Sequence, residues 1–251
     1  MPTIEAIYRY PVKGLSAEPL PAVRLTPGET LPFDRAYAIE NGPSGFDPSA
    51  PKHFRKIAFL MLMRNERLAA LDTRFDDQTG ILTIRRAGDV AVEACLDTVA
   101  GRATIEAFFE DFAADELRGP PKVLKAPGHS FSDAAERVVS LINLASLREL
   151  AEHAGAAVHP LRFRGNLYVK GLPAWSEFEW VGKRLRAGSV TFDGFARIDR
   201  CAATNVNPET ARRDMTIPRT LLDAYGHPDC GIYLKVRDGG ELKVGDTVAP
   251  A

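Results

Sequence analysis

The chain has few cysteines, no long apolar run and almost no net charge. Its three cysteines, Cys95, Cys201 and Cys230, are an odd number at wide spacing, which argues against a disulfide framework and against a zinc knuckle. No stretch approaches the roughly 18 apolar residues that cross a bilayer, and the first residues lack the basic and apolar segments of a signal peptide. We therefore expect a cytoplasmic protein with reduced thiols and no membrane association.

Charge and motif content exclude several further classes. A formal net charge of -1 over 251 residues gives no footprint for nucleic acid or for an anionic membrane. The five histidines lack the spacing of zinc ligands, and the sequence contains no phosphate-binding loop, dinucleotide fingerprint or nucleophile elbow. Any anion site must therefore be a local cluster of basic residues.

Apolar alternation indicates a mainly β fold with a few helices. From Thr3 to Tyr10, a period of two places Ile4, Ala6, Tyr8 and Tyr10 on one face of a strand. The turn at Asp76 to Gly80 leads into a second hairpin arm from Ile81 to Arg85. Three helices are expected: Thr98 to Phe112, Ala145 to His153 with Asn143 as cap and Gly155 as stop, and a short one from Pro218 to Gly226.

Pro120 and Pro121 lie in a polar segment rich in chain-breaking residues, and we place a domain boundary there, giving domains 1–120 and 121–251. Beyond it, short strands bounded by glycine indicate a closed barrel: Leu161 to Lys170, Leu185 to Ala187, Ser189 to Phe192, Gly231 to Val236 and Glu241 to Val248. In the first of these strands, alternation puts Arg162, Arg164 and Asn166 on one face, either an anion site or a solvent face.

Cys201 has the most informative surroundings of the three cysteines. It follows Arg200 and precedes a polar, turn-forming segment, and a neighbouring arginine favours the thiolate. A thiolate suits a soft metal or sulfur transfer, whereas the alternative is a small buried hydrophobe. Cys95 has the pattern of a strand core residue.

The segment around Cys201 resembles the signature of the MOSC family, the domain of molybdenum cofactor sulfurase and of the amidoxime-reducing proteins. The matching residues are Arg200, Cys201, Thr204, Val206, Pro208 and Thr210. Further segments that resemble the family are 140–147, 162–167, 231–233 and 242–248. Segments 8–14 and 33–39 resemble the β-barrel domain that usually precedes MOSC. In many relatives a serine stands at Gly14 and a proline at Gly165. Relatives carry an apolar residue at Cys230, so the resemblance implies that Cys230 is a packing residue.

This resemblance implies an α+β fold, mainly β, with a MOSC-type β-barrel domain preceded by a smaller β-rich N-terminal domain. It implies the molybdenum cofactor, with no pyridoxal phosphate, and Cys201 as the catalytic metal ligand. Lys13 and Arg35 would reach the cofactor, and Arg164 and Asn166 would hold its pterin and phosphate portion. Other residues named by the resemblance are Arg200 and Thr204 beside the cysteine, and Asn143 and Ser146, although helix capping also explains Asn143.

By the same resemblance, the protein would reduce small N-hydroxylated compounds. The plant-type iron-sulfur spacing Cys-x4-Cys-x2-Cys is absent from the sequence, so we expect electrons from a separate ferredoxin- or flavin-type reductase. The alternative is a carrier that passes a persulfide or the cofactor through Cys201. Stable, stoichiometric molybdenum distinguishes the two, because a sulfur carrier does not need it.

Overall fold

The computed structural model describes residues 1–251 and confirms a mainly β fold with three α-helices. The strands are β1 Thr3–Arg9, β2 Glu18–Leu20, β3 Ala22–Leu25, β4 Tyr37–Asn41, β5 Leu71–Asp76, β6 Ile81–Arg86, β7 Asp89–Cys95, β8 Pro121–Lys125, β9 Val139–Asn143, β10 Leu167–Lys170, β11 Arg184–Ala187, β12 Val190–Asp199, β13 Asp229–Asp238, β14 Gly240–Lys243 and β15 Val248–Pro250. The helices are α1 Val99–Phe112, α2 Leu144–Ala154 and α3 Ile217–Tyr225. None of them combines the length and the apolar composition that a bilayer-spanning helix needs.

The main sheet has eight strands in the order β15-β11-β12-β13-β9-β10-β1-β2 and curls into a half-barrel. Only β9 and β10 run parallel, and all other neighbours are antiparallel. It packs on an apolar core that includes Ile4, Leu141, Leu167, Phe192 and Leu234. Ser140 near the start of β9, Asn166 just before β10, and Arg200 and Cys201 just after β12 line one pocket beside this sheet.

A second core lies in the N-terminal half. The meander β5-β6-β7 and the pair β4-β8 pack against α1, which contributes Ile105, Phe109 and Phe112. The hairpin between β5 and β6 closes at Gly80, whose φ of 71° fits the predicted turn. This half forms the wall that faces the cysteine.

The predicted helices are confirmed, together with their caps. The Thr98 hydroxyl accepts from Gly101 N at the start of α1, and the Asn143 side chain accepts from Ala145 N at the start of α2. Gly155 and Gly226 end α2 and α3 in the left-handed conformation. Short polar caps and glycine stops are local signals, which explains why sequence patterns predict them well.

Three strand predictions were wrong. A bulge in β1 between Ile4 and Ala6 sends Ile4 and Ile7 to the barrel core, while Ala6 and Tyr8 pack on the helical side. The stretch 161–166 is not a strand but a 3-10 turn followed by irregular chain. The strand alternation that put Arg162, Arg164 and Asn166 on one face therefore does not apply. The last predicted strand is split into β14 and β15 by a turn at residues 244–247.

The two halves of the chain exchange strands. β1 and β2 lie at one edge of the main sheet through the pairing of β1 with β10, and β3 pairs with β14 near the C-terminus. In return, β8 pairs with β4. The boundary at residue 120 stays a prediction, and strands pair across it in both directions.

Candidate active site

A pocket of about 420 Å³ is lined by residues of both halves, beside the main sheet. Cys201 lines it together with six basic side chains, namely Lys13, Arg35, Lys56, Arg162, Arg164 and Arg200. Of the nine residues predicted for the site, seven line this pocket: Lys13, Arg35, Arg164, Asn166, Arg200, Cys201 and Thr204. A thiol and a cluster of cations therefore share one cavity, although they come from segments far apart in the sequence.

Cys201 lies just after β12, where the chain turns into a 3-10 turn at Ala202–Asn205. The Cys201 carbonyl accepts from the hydroxyl of Thr204 at 2.9 Å and from its backbone N at 3.1 Å. Thr204 is almost fully buried, whereas Cys201 is half-buried. The threonine thus closes the loop behind the cysteine and leaves the thiol at the pocket wall.

Arg200 anchors the other side of the cysteine loop. Its guanidinium donates to the Cys230 carbonyl, with Nε at 2.8 Å, and to the Phe163 carbonyl at 3.0 Å. Each of its three guanidinium nitrogens donates to a backbone carbonyl, so Arg200 supports the loop. Burial raises the pKa of the Cys230 thiol to about 12, which agrees with its prediction as a packing residue. The prediction for Cys95 was wrong, because Cys95 is half-buried at the end of an edge strand.

Arg35 and Arg164 approach the same aromatic ring. Their guanidinium carbons lie 4.5 and 4.3 Å from the centroid of the buried Tyr10 ring, and Arg35 Nη2 donates to the Arg164 carbonyl at 2.9 Å. Both arginines adopt the left-handed backbone region, with φ of 52° and 50°. This conformation is uncommon for residues with a Cβ and costs free energy, so surrounding contacts must hold it. Such strain is concentrated at functional sites.

Two of the buried arginine nitrogens have no protein partner. Arg164 donates through Nη1 to the Leu15 carbonyl at 2.7 Å, but its Nη2 makes no hydrogen bond. Arg162 pairs with Asp214 at 2.6 Å, and its Nε is likewise unpaired. Burial, reinforced by the charge of Arg35, lowers the pKa of Arg164 to about 10. Unsatisfied buried donors on charged groups are costly, and both would be satisfied by an anionic or polar ligand in the pocket.

Two lysines share one carboxylate at the pocket edge. Lys13 Nζ lies 2.5 Å from Asp133 Oδ1 and also donates to the Phe131 carbonyl at 2.8 Å, and Lys56 Nζ lies 3.3 Å from Asp133 Oδ2. Burial lowers the pKa of Lys13, although Asp133 opposes this shift. For Lys56, burial is outweighed by the charges of Asp133 and Cys201, which raise its pKa. Lys56 and Cys201 thus line the same pocket, and Lys56 also pairs with Asp133 at its edge.

Asn166 contributes to the pocket floor as a strand connector. Its Oδ1 accepts from the hydroxyl of Ser140 at 2.8 Å, and its Nδ2 donates to the Tyr8 carbonyl at 3.1 Å. It thereby joins the end of β1 to the starts of β9 and β10. Its contact with a ligand stays a prediction.

Asn143 and Ser146 do not line the pocket. Both bind the buried carboxylate of Glu177, with Asn143 Nδ2 at 2.8 Å and Ser146 Oγ at 2.9 Å. Burial raises the pKa of Glu177. The two residues therefore belong to a network that holds the start of α2, and we no longer assign them to the site.

Comparison with known families agrees with this arrangement. The model of the MOSC N-terminal beta barrel domain matches residues 1–116, and the model of the MOSC domain matches residues 127–249. The chain belongs to the MOSC family. The pocket therefore lies between the N-terminal MOSC barrel domain and the MOSC domain, with Cys201 on the MOSC side and Lys13, Arg35 and Lys56 on the other.

The curated relatives of this MOSC protein are similar at modest identity. It is 32% identical over 122 residues to mitochondrial amidoxime reducing component 2 of Bos taurus, covering 44% of this chain and 36% of that protein. It is 33% identical over 99 residues to molybdenum cofactor sulfurase of Caenorhabditis briggsae, covering 38% of this chain and 14% of that protein. The matched region thus spans about a third or less of these relatives. The solved YuaD protein of Bacillus subtilis aligns with 99% of this chain and 94% of its own at 13% identity, with a TM-score of 0.46.

Two glycines that depart from the MOSC pattern have structural reasons. Gly14 has a φ of 84°, which favours glycine, and a Cβ there would lie 3.1 Å from the Leu60 carbonyl oxygen. A Cβ at Gly165 would lie 2.4 Å from Ile142 Cγ1. In this MOSC protein, both positions therefore bring backbone close to neighbouring residues without offering a side chain to a ligand.

Sequence reasoning did not assign five charged residues of the pocket, namely Asp34, Lys56, Asp133, Arg162 and Asp199. Lys56 begins a short 3-10 turn and Asp133 lies in a bend, and Arg162 was noted only as a neighbour of Arg164 on a strand that does not exist. The resemblance to MOSC relatives identified none of them.

Proposed function

We propose that this protein binds the molybdenum cofactor in the pocket, with Cys201 as the protein ligand of the metal, and reduces small N-hydroxylated compounds. The observation that carries the proposal is that Cys201 lines the same pocket as a cluster of basic side chains. One of these side chains, Arg164, has a buried Nη2 without a hydrogen-bond partner. A soft thiolate suits molybdenum, and guanidinium groups suit the phosphate of the cofactor. The names of the amidoxime-reducing relatives support the reaction class.

The residues of the pocket fit this cofactor in chemistry and in number. Arg164 and Arg162 each have a buried nitrogen free to donate, and Lys13 and Arg35 add positive charge from the N-terminal domain. Thr204 and Arg200 fix the loop that presents the thiol. When bound, the cofactor would supply the oxygen-atom and electron chemistry, and the protein would orient the substrate and exclude water.

Electrons would come from a separate donor protein, and two electrons and two protons would balance each turnover. The N–O bond of an amidoxime would break, the nitrogen would remain in the amidine product, and the oxygen would leave as water. Lys56 is half-buried and lines the same pocket as Cys201, so its ammonium group would be available to a small polar substrate. The electron donor itself is proposed by class only, as a ferredoxin- or flavin-type reductase.

Persulfide transfer through Cys201 is the alternative use of the same thiol. A carrier needs an accessible thiolate but no ligand-sized cavity with unpaired buried donors behind it. The pocket of about 420 Å³ and the free Arg164 nitrogen therefore favour a resident ligand.

The proposed activity is tested by anaerobic reduction of benzamidoxime with reduced methyl viologen, using protein from a host that makes the cofactor. We expect benzamidine to form, with two reduced viologens consumed per amidine, and the Cys95→Ala variant to retain the rate because Cys95 lies outside the pocket. Molybdenum-loaded protein that reduces neither benzamidoxime nor simple hydroxylamines would contradict the reductase proposal.

A further inference from the structure

Several charged side chains that line the pocket are already held by other contacts or by solvent. Arg35 pairs with Asp34 at 2.5 Å, and Arg162 pairs with Asp214. Arg200 donates to backbone carbonyls through all three guanidinium nitrogens, and Asp199 is exposed to solvent at the end of β12. The charges left to bind a ligand are those of three cations and one acid: Lys13, Lys56, Arg164 and Asp133.

Asp133 occupies the place where an external anion would bind. One of its oxygens lies 2.5 Å from Lys13 Nζ and the other 3.3 Å from Lys56 Nζ, so the carboxylate bridges both ammonium groups. The Lys13 side chain is 8% exposed, whereas that of Asp133 is 45% exposed. The carboxylate therefore caps a buried cation from the solvent side, as a bound anion would.

The chain around Asp133 can release it without unfolding a regular element. Phe131 is buried, its N donates to the Arg35 carbonyl, and Val138 is buried just before β9. Between them, residues 132–137 form a bend with mostly exposed side chains. Asp133 is the one residue of this bend whose side chain bonds a basic residue of the pocket.

We propose that Asp133 is an internal competitor that determines which anions the pocket accepts. In the ligand-free protein its single negative charge satisfies Lys13 and Lys56, and an entering ligand must displace it. A dianionic phosphate monoester gains by this exchange, because it brings two charges to three cations, whereas a monoanion replaces Asp133 at equal charge. The site therefore selects terminal phosphate groups over singly charged ligands.

This inference deepens the proposed function, since the natural phosphate would be that of the cofactor, but its test needs no cofactor. Inorganic phosphate is titrated into the full-length protein from a host that makes no cofactor, by calorimetry at constant ionic strength. We expect Asp133→Asn to bind phosphate at least about fivefold more tightly than the unaltered protein, because one charge-assisted competitor is removed. Formate, as the monoanion, should bind the unaltered protein at least about fivefold more weakly than phosphate.

The matched control is Glu136→Gln, which removes a similarly exposed charge from the same bend. Glu136 pairs with Lys235, and neither residue lines the pocket. The phosphate affinity of this variant should stay within about twofold of the unaltered protein. Lys13→Gln should weaken phosphate binding both alone and when combined with Asp133→Asn. Thermal melting of Asp133→Asn and of a second variant, Asp133→Ser, verifies that the folded state persists.

An unchanged or weaker phosphate affinity in both folded Asp133 variants would overturn the inference, and so would the absence of measurable phosphate binding in every protein. A gain of equal size in Glu136→Gln would also overturn it, since the effect would then be one of general charge. These outcomes do not depend on molybdenum. A protein without metal and with the expected phosphate gain would contradict the proposed function alone.

Discussion

Replacing Arg164 by glutamine is expected to lower reductase activity per chain at least about a hundredfold, with a parallel loss of bound cofactor. Arg164 lines the pocket with a buried, unpartnered donor, and it also stacks on Tyr10 and donates to the Leu15 carbonyl. Charge-assisted hydrogen bonds contribute about 1.5–3 kcal/mol each, and about 3 kcal/mol corresponds to about a hundredfold in affinity. Activity with reduced viologen and molybdenum per chain measure the effect.

The control for Arg164 is Arg197→Gln. Arg197 also stacks on an aromatic ring, 4.2 Å from the centroid of Phe178, but it lies outside the pocket. We expect this variant to keep activity and metal within about twofold, and Arg164→Lys to recover part of both because charge returns without the planar fork. Full activity in folded Arg164→Gln would show that the cation cluster does not hold the cofactor.

Gly231→Ala is expected to destabilise the fold by at least about 3 kcal/mol and to impair the site with it. Gly231 has a φ of 79°, and an added Cβ would lie 2.4 Å from the Leu141 carbonyl oxygen and 3.2 Å from Arg200 Nη2. The new methyl group would push β13 away from β9 and disturb the anchor of the cysteine loop. Urea denaturation measures the loss of unfolding free energy.

Gly226→Ala separates backbone strain from the clash. Gly226 has a similar φ of 75°, but nothing lies within 4 Å of an added Cβ. Strain alone should cost about 1 kcal/mol there. Equal losses for the two variants would indicate that close packing at Gly231 contributes nothing beyond the left-handed conformation.

Local signals in the sequence predicted much of the fold. The Asn143 cap, the Gly155 and Gly226 stops and the turn at Gly80 each depend on neighbouring residues only, and the structure contains all four. The failures arose where tertiary contacts override periodicity. The bulge in β1 divides its apolar residues between two cores, and Arg164 takes a left-handed conformation that no alternation rule anticipates.

The convergence of the pocket residues could not be predicted from periodicity. Leu15 and Arg164, which share a hydrogen bond, are 149 positions apart, and Lys13 and Asp133 are 120 apart. The family resemblance predicted seven residues that line the pocket, because these residues lie within or beside short motifs that can be recognised in the sequence. It did not supply Asp133 or Lys56, since these come from irregular segments and reach the site only through the three-dimensional fold.

The central claim is that the Cys201 sulfur holds molybdenum in this pocket. The most direct measurement is elemental analysis for molybdenum on protein purified from a cofactor-producing host, run together with Cys201→Ala and with Cys95→Ala as the matched cysteine control. We predict close to one molybdenum per chain in the unaltered protein and in Cys95→Ala, and less than about a tenth of that in Cys201→Ala, because the soft protein ligand is lost. Metal-free unaltered protein, or equal metal in the Cys201→Ala variant, would contradict the account.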